Sequence, residues 1–473
     1  SMENKIGETP TRRSYIKSYE DQKKEELIAL GQSKQSWNSI LKYLKVEIQK
    51  STEIVNFNYK IPCFKEDGAY QLNKAVQELT GVAQSVGDEK PSGGKDNVEL
   101  LDVKLSDGSR VKVPYGQIAL SDMGENAIIN ITYNNNTNDL IITGSCEFRF
   151  QSLMDDIIER TSLLLNTDSI YKNQAFQLEE SFRPMYLNLS NIDKEFMVLS
   201  SKTEYELKPL MARVQHPDMC VKNGIPLKYG CLLEGPYGTG KTLLAFKIAK
   251  EAIANNWTFI YLKSPALLAR TLKLSKTLDK NGNGVIVFVE DIDQVTKGNR
   301  DSAMQDILNT LDGGDTKQMN VIALFTTNHL DQIEPTFLRG KRIGSIVSMG
   351  YLDAATAKLF LQETFNEKYN LEEEGLDEIC DYIANKNIAP AFMAEITESV
   401  KTNMVFEDHN EIKIEYIKSS VDNYIRQVNL SQTKDLSETP QLKLANALTE
   451  VLFDSEKAKR FKTEIIDSVV ESL

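Results

Sequence analysis

The sequence predicts an α/β fold, a parallel sheet flanked by helices and followed by a smaller helical domain, with an α+β region before it and a helical extension after it. Three observations carry that prediction. Strand and helix patterns alternate from Tyr229 to Tyr351, the order of a parallel sheet covered on both faces. Within that stretch a glycine-rich octapeptide, Gly235 to Thr242, joins the apolar strand Cys231-Leu232-Leu233 to the helical run Leu243 to Ala254. Farther on, the buried-strand run Val285-Ile286-Val287-Phe288-Val289 ends in two acids, Glu290-Asp291.

At 473 residues, 41% of them hydrophobic, the chain can form roughly two to four packed units. No apolar run reaches the ~18 residues of a membrane span, and Ser1-Met2-Glu3-Asn4-Lys5 lacks the charged-then-apolar pattern of a signal peptide. A soluble, cytoplasmic chain is expected. Five scattered cysteines form no CxxC pair and have no histidine at ligand spacing, so reduced thiols are expected rather than a metal site or disulfides. The net charge of -13, from 55 Lys and Arg against 68 Asp and Glu, disfavours grip on a phosphate backbone. Protein partners are the better expectation.

Domain boundaries follow from shifts in pattern. Residues 1–97 read as a helical region and linker, with Leu27, Leu30, Ile40, Leu41, Leu44 and Ile48 at helical spacing and a Gly/Pro-rich stretch from Ser85 to Asn97. Residues 98–185 read as a small α+β domain: strands Val98 to Leu105, Val111 to Val113, Ala127 to Tyr133 and Leu140 to Thr143, a turn at Asp107-Gly108, and a helix from Phe150 to Leu165. The nucleotide-binding domain spans 186–350, a helical lid 351–430 and a helical extension 431–473.

Gly235-Pro236-Tyr237-Gly238-Thr239-Gly240-Lys241-Thr242 fits GxxxxGK[ST] between a strand and a helix, the context that this phosphate-binding loop requires. Its glycines let backbone N–H groups turn inward around phosphates. Lys241 is expected to bridge β- and γ-phosphates, and Thr242 to place its hydroxyl on Mg²⁺, with the helix N-terminus facing the same anion. At the strand end after Val289, Glu290 is expected to serve Mg²⁺ and Asp291 the attacking water. The commoner order is Asp then Glu, so this pair is inverted and its water-facing acid is one methylene shorter. A further strand, Val321 to Phe325, ends in Thr326-Thr327-Asn328, where the Asn328 amide can hold water in line. Asp293 reads as solvated or locally paired. Arg339 and Arg342 can stabilise charge on transferring phosphoryl oxygens, and at a subunit edge they would complete a neighbour's site.

Taken together, these motifs resemble the AAA branch of the AAA+ ATPases. Gly224-Ile225-Pro226-Leu227, the loop, Glu290-Asp291-Ile292-Asp293, Asn309 to Gly313, Thr326-Thr327-Asn328-His329-Leu330 and Leu338 to Arg342 stand in that family's order. Among its members the core motifs look most similar to the mitochondrial Rieske-protein translocase type, which also has Glu before Asp. The resemblance implies a P-loop NTPase sheet, ATP and Mg²⁺ as ligands, Asn328 as sensor 1, and Arg339 and Arg342 as arginine fingers. Gly340-Lys341 stand where Pro-Gly is usual. Thr271-Leu272-Lys273 stand where unfoldases carry an aromatic-hydrophobic-Gly pore triplet, and no Arg stands at the sensor 2 turn, Ile388-Ala389-Pro390-Ala391.

The expected activity is ATP hydrolysis by a homo-oligomeric ring, a hexamer on the family's pattern, that remodels or translocates a protein substrate. An ATP-driven nucleic-acid motor and a nucleotide-gated scaffold with little hydrolysis are the alternatives.

Overall fold

The computed structural model describes residues 21–29, 37–80, 98–119, 127–279, 282–293, 319–333, 335–338, 343–366, 368–407 and 409–435. Two compact units emerge, residues 1–197 with 201–349, and residues 198–200 with 350–473.

The first unit opens with helices over 21–29 (α1) and Trp37–Ser51 (α2), then strand β1 (Ile54–Pro62) and helix α3 (Lys65–Thr80). Strands β2 (Val98–Lys104), β3 (Arg110–Ala119), β4 (Ile128–Asn134) and β5 (Asp139–Glu147) follow, with helix α4 (Gln151–Thr167). These strands form one antiparallel sheet in the order β1-β5-β4-β3-β2. The segment expected to be helical through residue 97 therefore supplies an edge strand. Its alternation places Val55, Phe57, Tyr59 and Ile61 on one face, which packs on the core that holds Leu72, Ile131, Ile142 and Met154. The turn at Asp107-Gly108 forms as expected, with Gly108 in the left-handed region at φ 86° and the Ser109 amide donating to Asp107 Oδ1 at 2.8 Å.

The larger sheet begins with β6 (Ala175–Leu178) and β7 (Met185–Tyr186), preceding helices α5 (Ser201–Gln215) and α6 (Pro217–Lys222). Then come β8 (Tyr229–Glu234), α7 (Lys241–Ala254), β9 (Trp257–Leu262), α8 (Leu268–Asp279), β10 (Gly284–Val289), β11 (Val321–Thr327), α9 (Pro335–Leu338) and β12 (Ser345–Ser348). The strand order is β12-β8-β11-β10-β9-β6-β7. All neighbours run parallel except the edge strand β7, as the α/β prediction requires. Every residue of β9, β10 and β11 is buried, so these strands are mostly apolar along their length because both faces are covered.

Within this unit, helix α8 is tied to the β4–β5 turn. Arg270 donates from Nε to Asn138 Oδ1 at 3.0 Å, and its guanidinium lies 3.9 Å from the Phe182 ring centroid.

The second unit is mainly helical: α10 (Ala354–Thr364), α11 (Leu376–Ala384), α12 (Pro390–Glu407) and α13 (Ile414–Asp435), with a short parallel pair of β13 (Asn370–Leu371) and β14 (Glu411–Ile412). Asp353 caps α10 by accepting from the Thr356 amide at 2.7 Å. Leu361, Ile379, Ile383, Met393, Ile396 and Val421 share its core. Of the expected extension, 431–435 continue α13 and residues 436–473 lie outside the described residues. All five cysteines are free and buried. Among the described residues no helix is long and apolar enough to cross a membrane.

Candidate functional site

Strands β8, β11 and β10 are parallel neighbours, so their carboxyl ends open on the same edge of the sheet. That edge is where ligands bind in open parallel sheets. The glycine-rich loop leaves β8, the acid pair leaves β10 and Asn328 leaves β11, which brings three separated motifs together.

The loop is shaped by its glycines. Gly235 adopts φ 152°, and a Cβ there would stand 1.9 Å from the Met349 carbonyl oxygen. Its amide donates to the Thr327 carbonyl at 3.2 Å, fastening the loop to the end of β11. Gly240 takes the left-handed conformation at φ 91° and caps α7, so Lys241 and Thr242 begin the helix at its positive dipole end. The Lys241 side chain is buried and folds back over the loop, donating from Nζ to the carbonyls of Gly235 at 2.7 Å and Pro236 at 2.8 Å. Burial lowers the Lys241 pKa, while Asp291, Glu234, Asp293 and Glu290 pull the other way. Thr239 donates to the Pro236 carbonyl at 2.9 Å. Tyr237 projects outward, its ring 6.4 Å from that of His329 and nearly edge-on.

Both oxygens of Glu290 are engaged. The Thr242 hydroxyl donates to Oε1 and the Tyr261 hydroxyl to Oε2. Asp291 turns away from the strand in the left-handed region at φ 48°, a conformation that costs a non-glycine residue about 1–3 kcal/mol. The turn is held by its amide, which donates to Thr326 Oγ1 at 3.0 Å. Asn328 Nδ2 donates to Asp291 Oδ1 at 2.8 Å. Burial raises the Asp291 pKa, Glu290 and Asp293 push in the same direction, and Asn328 and Lys241 oppose them.

Two contributors were not read from sequence in these roles. Asp293 is buried rather than solvated, and accepts from the Thr327 hydroxyl at 2.7 Å and the Asn328 amide at 3.3 Å. It thereby fixes the polar end of β11 against the acid pair. Tyr261 comes from β9, whose register against β10 no local pattern discloses. Asp293 at least carried a signal, standing two residues beyond Asp291.

The residues present fit a nucleotide with its cation. The loop offers an ammonium and a helix N-terminus, both suited to phosphate. Thr242 and Glu290 offer a hydroxyl and a carboxylate on one hydrogen bond, a hard-oxygen donor pair of the kind Mg²⁺ takes. Arg339 and Arg342, with Asn309 to Gly313, lie outside the described residues. Thr271 and Leu272, which stand where unfoldases carry the pore triplet, are buried on α8.

Comparison with known proteins agrees with this geometry. Residues 231–351 match the family model described as "ATPase family associated with various cellular activities (AAA)". The chain is 24% identical over 322 residues to a proteasome-activating nucleotidase of Methanococcus maripaludis, covering 64% of this chain and 74% of that protein. It is 27% identical over 280 residues to the proteasome-activating nucleotidase of Methanocaldococcus jannaschii, covering 55% of this chain and 61% of that one. A third, from Methanococcus vannielii, is 26% identical over 260 residues, 49% of this chain and 61% of the relative. None of these three is a mitochondrial Rieske-protein translocase, so they lend no support to that narrower resemblance. Residues 231–351 are an AAA ATPase domain, carried on a chain homologous to the AAA-family proteasome-activating nucleotidases.

Proposed function

We propose that this chain hydrolyses ATP with Mg²⁺ and works as a homo-oligomeric ring, a hexamer, that remodels or translocates a protein substrate or assembly. The observation that carries the reading is the convergence of Lys241, the Thr242–Glu290 pair and the Asp291–Asn328 pair at the carboxyl ends of three adjacent parallel strands. The relatives are named as nucleotidases that activate proteasomes, which supports nucleotide hydrolysis directed at protein. The acidic balance of the chain points the same way.

When bound, Mg²⁺ and ATP supply a charge clamp on phosphate oxygens and the phosphoryl group to be transferred. In this reading Lys241 leaves the loop carbonyls for phosphate oxygens, so its buried charge is matched. Thr242 and Glu290 hold the cation. Asp291 orients a water and takes up its proton, and its raised pKa makes it a better base than an exposed aspartate. Asn328 holds Asp291 in place by donating from its amide to Oδ1. Arg339 and Arg342 are proposed to reach a neighbouring subunit's phosphates, which would make hydrolysis depend on assembly.

A second reading, a nucleotide-gated scaffold, draws on the short Asp291 and on Thr271-Leu272-Lys273 standing where unfoldases carry an aromatic pore triplet. The experiment combines native mass with phosphate release, with and without ATP and MgCl2. A ring that forms with ATP and turns it over supports the proposal. Assembly with turnover near zero would favour the scaffold, and turnover that rises only on adding single-stranded DNA would favour a nucleic-acid motor.

A further inference from the structure

The Glu290-Asp291 order places the longer acid where the commoner order has the shorter one. A glutamate there has one more rotatable bond to fix before an oxygen can be presented to a cation. The neighbouring strand supplies the means.

Tyr261 is the register partner of Phe288 on the adjacent parallel strand, so the two side chains share a face of the sheet. Their rings stack with centroids 5.0 Å apart and planes 27° apart. Glu290 lies two residues past Phe288 and so returns to that face. A strand advances about 6.6 Å over two residues, a span that a phenol ring with its hydroxyl bridges. Helix α7 covers the same face, with Phe246 edge-on to Tyr261 at 5.7 Å. Thr242 stands one turn earlier on that helix. The outcome is a chain of hydroxyls around one carboxylate: Tyr261 donates to Oε2 and Thr242 to Oε1. Behind them Lys263 Nζ donates to the Tyr261 hydroxyl oxygen at 3.2 Å, which leaves the phenolic proton directed at Glu290.

We infer that Tyr261 is a positioning residue for the cation site: its hydroxyl fixes Oε2 of Glu290 so that Oε1 faces Thr242, and this brace adapts the site to a glutamate. The inference rests on the nucleotide reading above. Lys263, exposed at the rim, sharpens the brace by polarising the phenol. Residues that orient a ligating carboxylate change metal affinity by roughly 10–100-fold when altered. Tyr261→Phe removes one oxygen and keeps the ring packing, so its effect belongs at the lower end of that range.

The test is calorimetric titration of ATP into the full chain, first in EDTA and then across a series of MgCl2 concentrations. In Tyr261→Phe, the MgCl2 concentration at half-maximal enhancement of ATP binding rises about tenfold, while affinity in EDTA and the thermal midpoint stay at the wild-type values. Lys263→Met moves the same midpoint in the same direction by about twofold. In a Glu290→Asp background the shorter acid no longer reaches the phenol, and adding Tyr261→Phe then shifts the midpoint less than about twofold. An unchanged midpoint in Tyr261→Phe, or an equal shift in both backgrounds, overturns the inference. Should Tyr261→Phe fail to fold, an unchanged midpoint in the surface variant Lys263→Met overturns it instead. Wild-type protein that takes up no ATP at any MgCl2 concentration overturns the nucleotide reading itself, a distinct result.

Discussion

The two sheets of the first unit use their strands differently. In the five-stranded sheet all neighbours are antiparallel, so successive strands end on opposite edges and polar termini are spread between two rims. In the seven-stranded sheet β8, β11 and β10 run parallel, and their last residues meet. Antiparallel pairing yields a stable body with a half-exposed face. Parallel pairing also gathers chemistry, because motifs far apart in sequence leave the sheet on one side. The lesson is that ligand-binding groups concentrate where strand direction makes them converge, whatever the stability of the sheet.

Substitutions can break or sharpen that contrast. The largest effect is expected at Lys241. Lys241→Ala removes the ammonium from a site of four nearby acids and is expected to weaken ATP binding about 1000-fold by calorimetry, since charge-assisted contacts to phosphate are among the strong ones. The opposite behaviour is expected of Ile142→Ala, which empties a fully buried position in the five-stranded sheet. It should cost about 3 kcal/mol in urea unfolding and leave ATP affinity within about twofold. A loss of binding there would erase the division of labour between the sheets.

Asp291→Asn is expected to retain ATP and to slow phosphate release by about 100-fold, within the usual contribution of a general base. Asn328→Ala should lower turnover about tenfold. Because the Asn328 amide lowers the Asp291 pKa, its loss raises that pKa further, and the acid limb of the rate profile moves to higher pH. An acid limb that stays put would separate Asn328 from Asp291.

The smallest effect belongs to the antiparallel region. Asp67 on α3 accepts from the Ser169 hydroxyl and from the Ile170 amide at 3.2 Å, and burial pushes its pKa up from 3.8 to about 6. A carboxyl raised in the fold favours the protonated form. Its contribution to stability is full below 3.8 and is lost as the pH rises through about 6. Thermal unfolding should show about 1 kcal/mol more stability from this group at pH 5 than at pH 7.5, and Asp67→Asn should flatten that difference.

What could be read beforehand follows the same contrast. The phosphate loop, the acid pair and Asn328 sit on contiguous segments whose own residues announce them, and the structure assembles them. The strands β2 to β5 and helix α4 were legible from alternation and from the Asp107-Gly108 turn. Strand β1 was missed, because the helical spacing just before it masked the change of period to the alternation of Val55, Phe57, Tyr59 and Ile61. Tyr261 was hidden for a different reason. Its role depends on which strands are neighbours and in what register, which is not encoded near the residue itself, whereas Asp293 stood beside the acid pair and only its burial against β11 was out of reach.

The clamp of Arg270 on the β4–β5 turn bears on how force would travel. Helix α8 leads from β9 into β10, the strand that delivers Glu290 and Asp291. With its guanidinium held by Asn138 and laid over Phe182, that helix cannot tilt without dragging the hairpin along. One side chain thus couples the helix ahead of the acid-bearing strand to the antiparallel sheet, so a shift of α8 would be felt first at the β4–β5 hairpin.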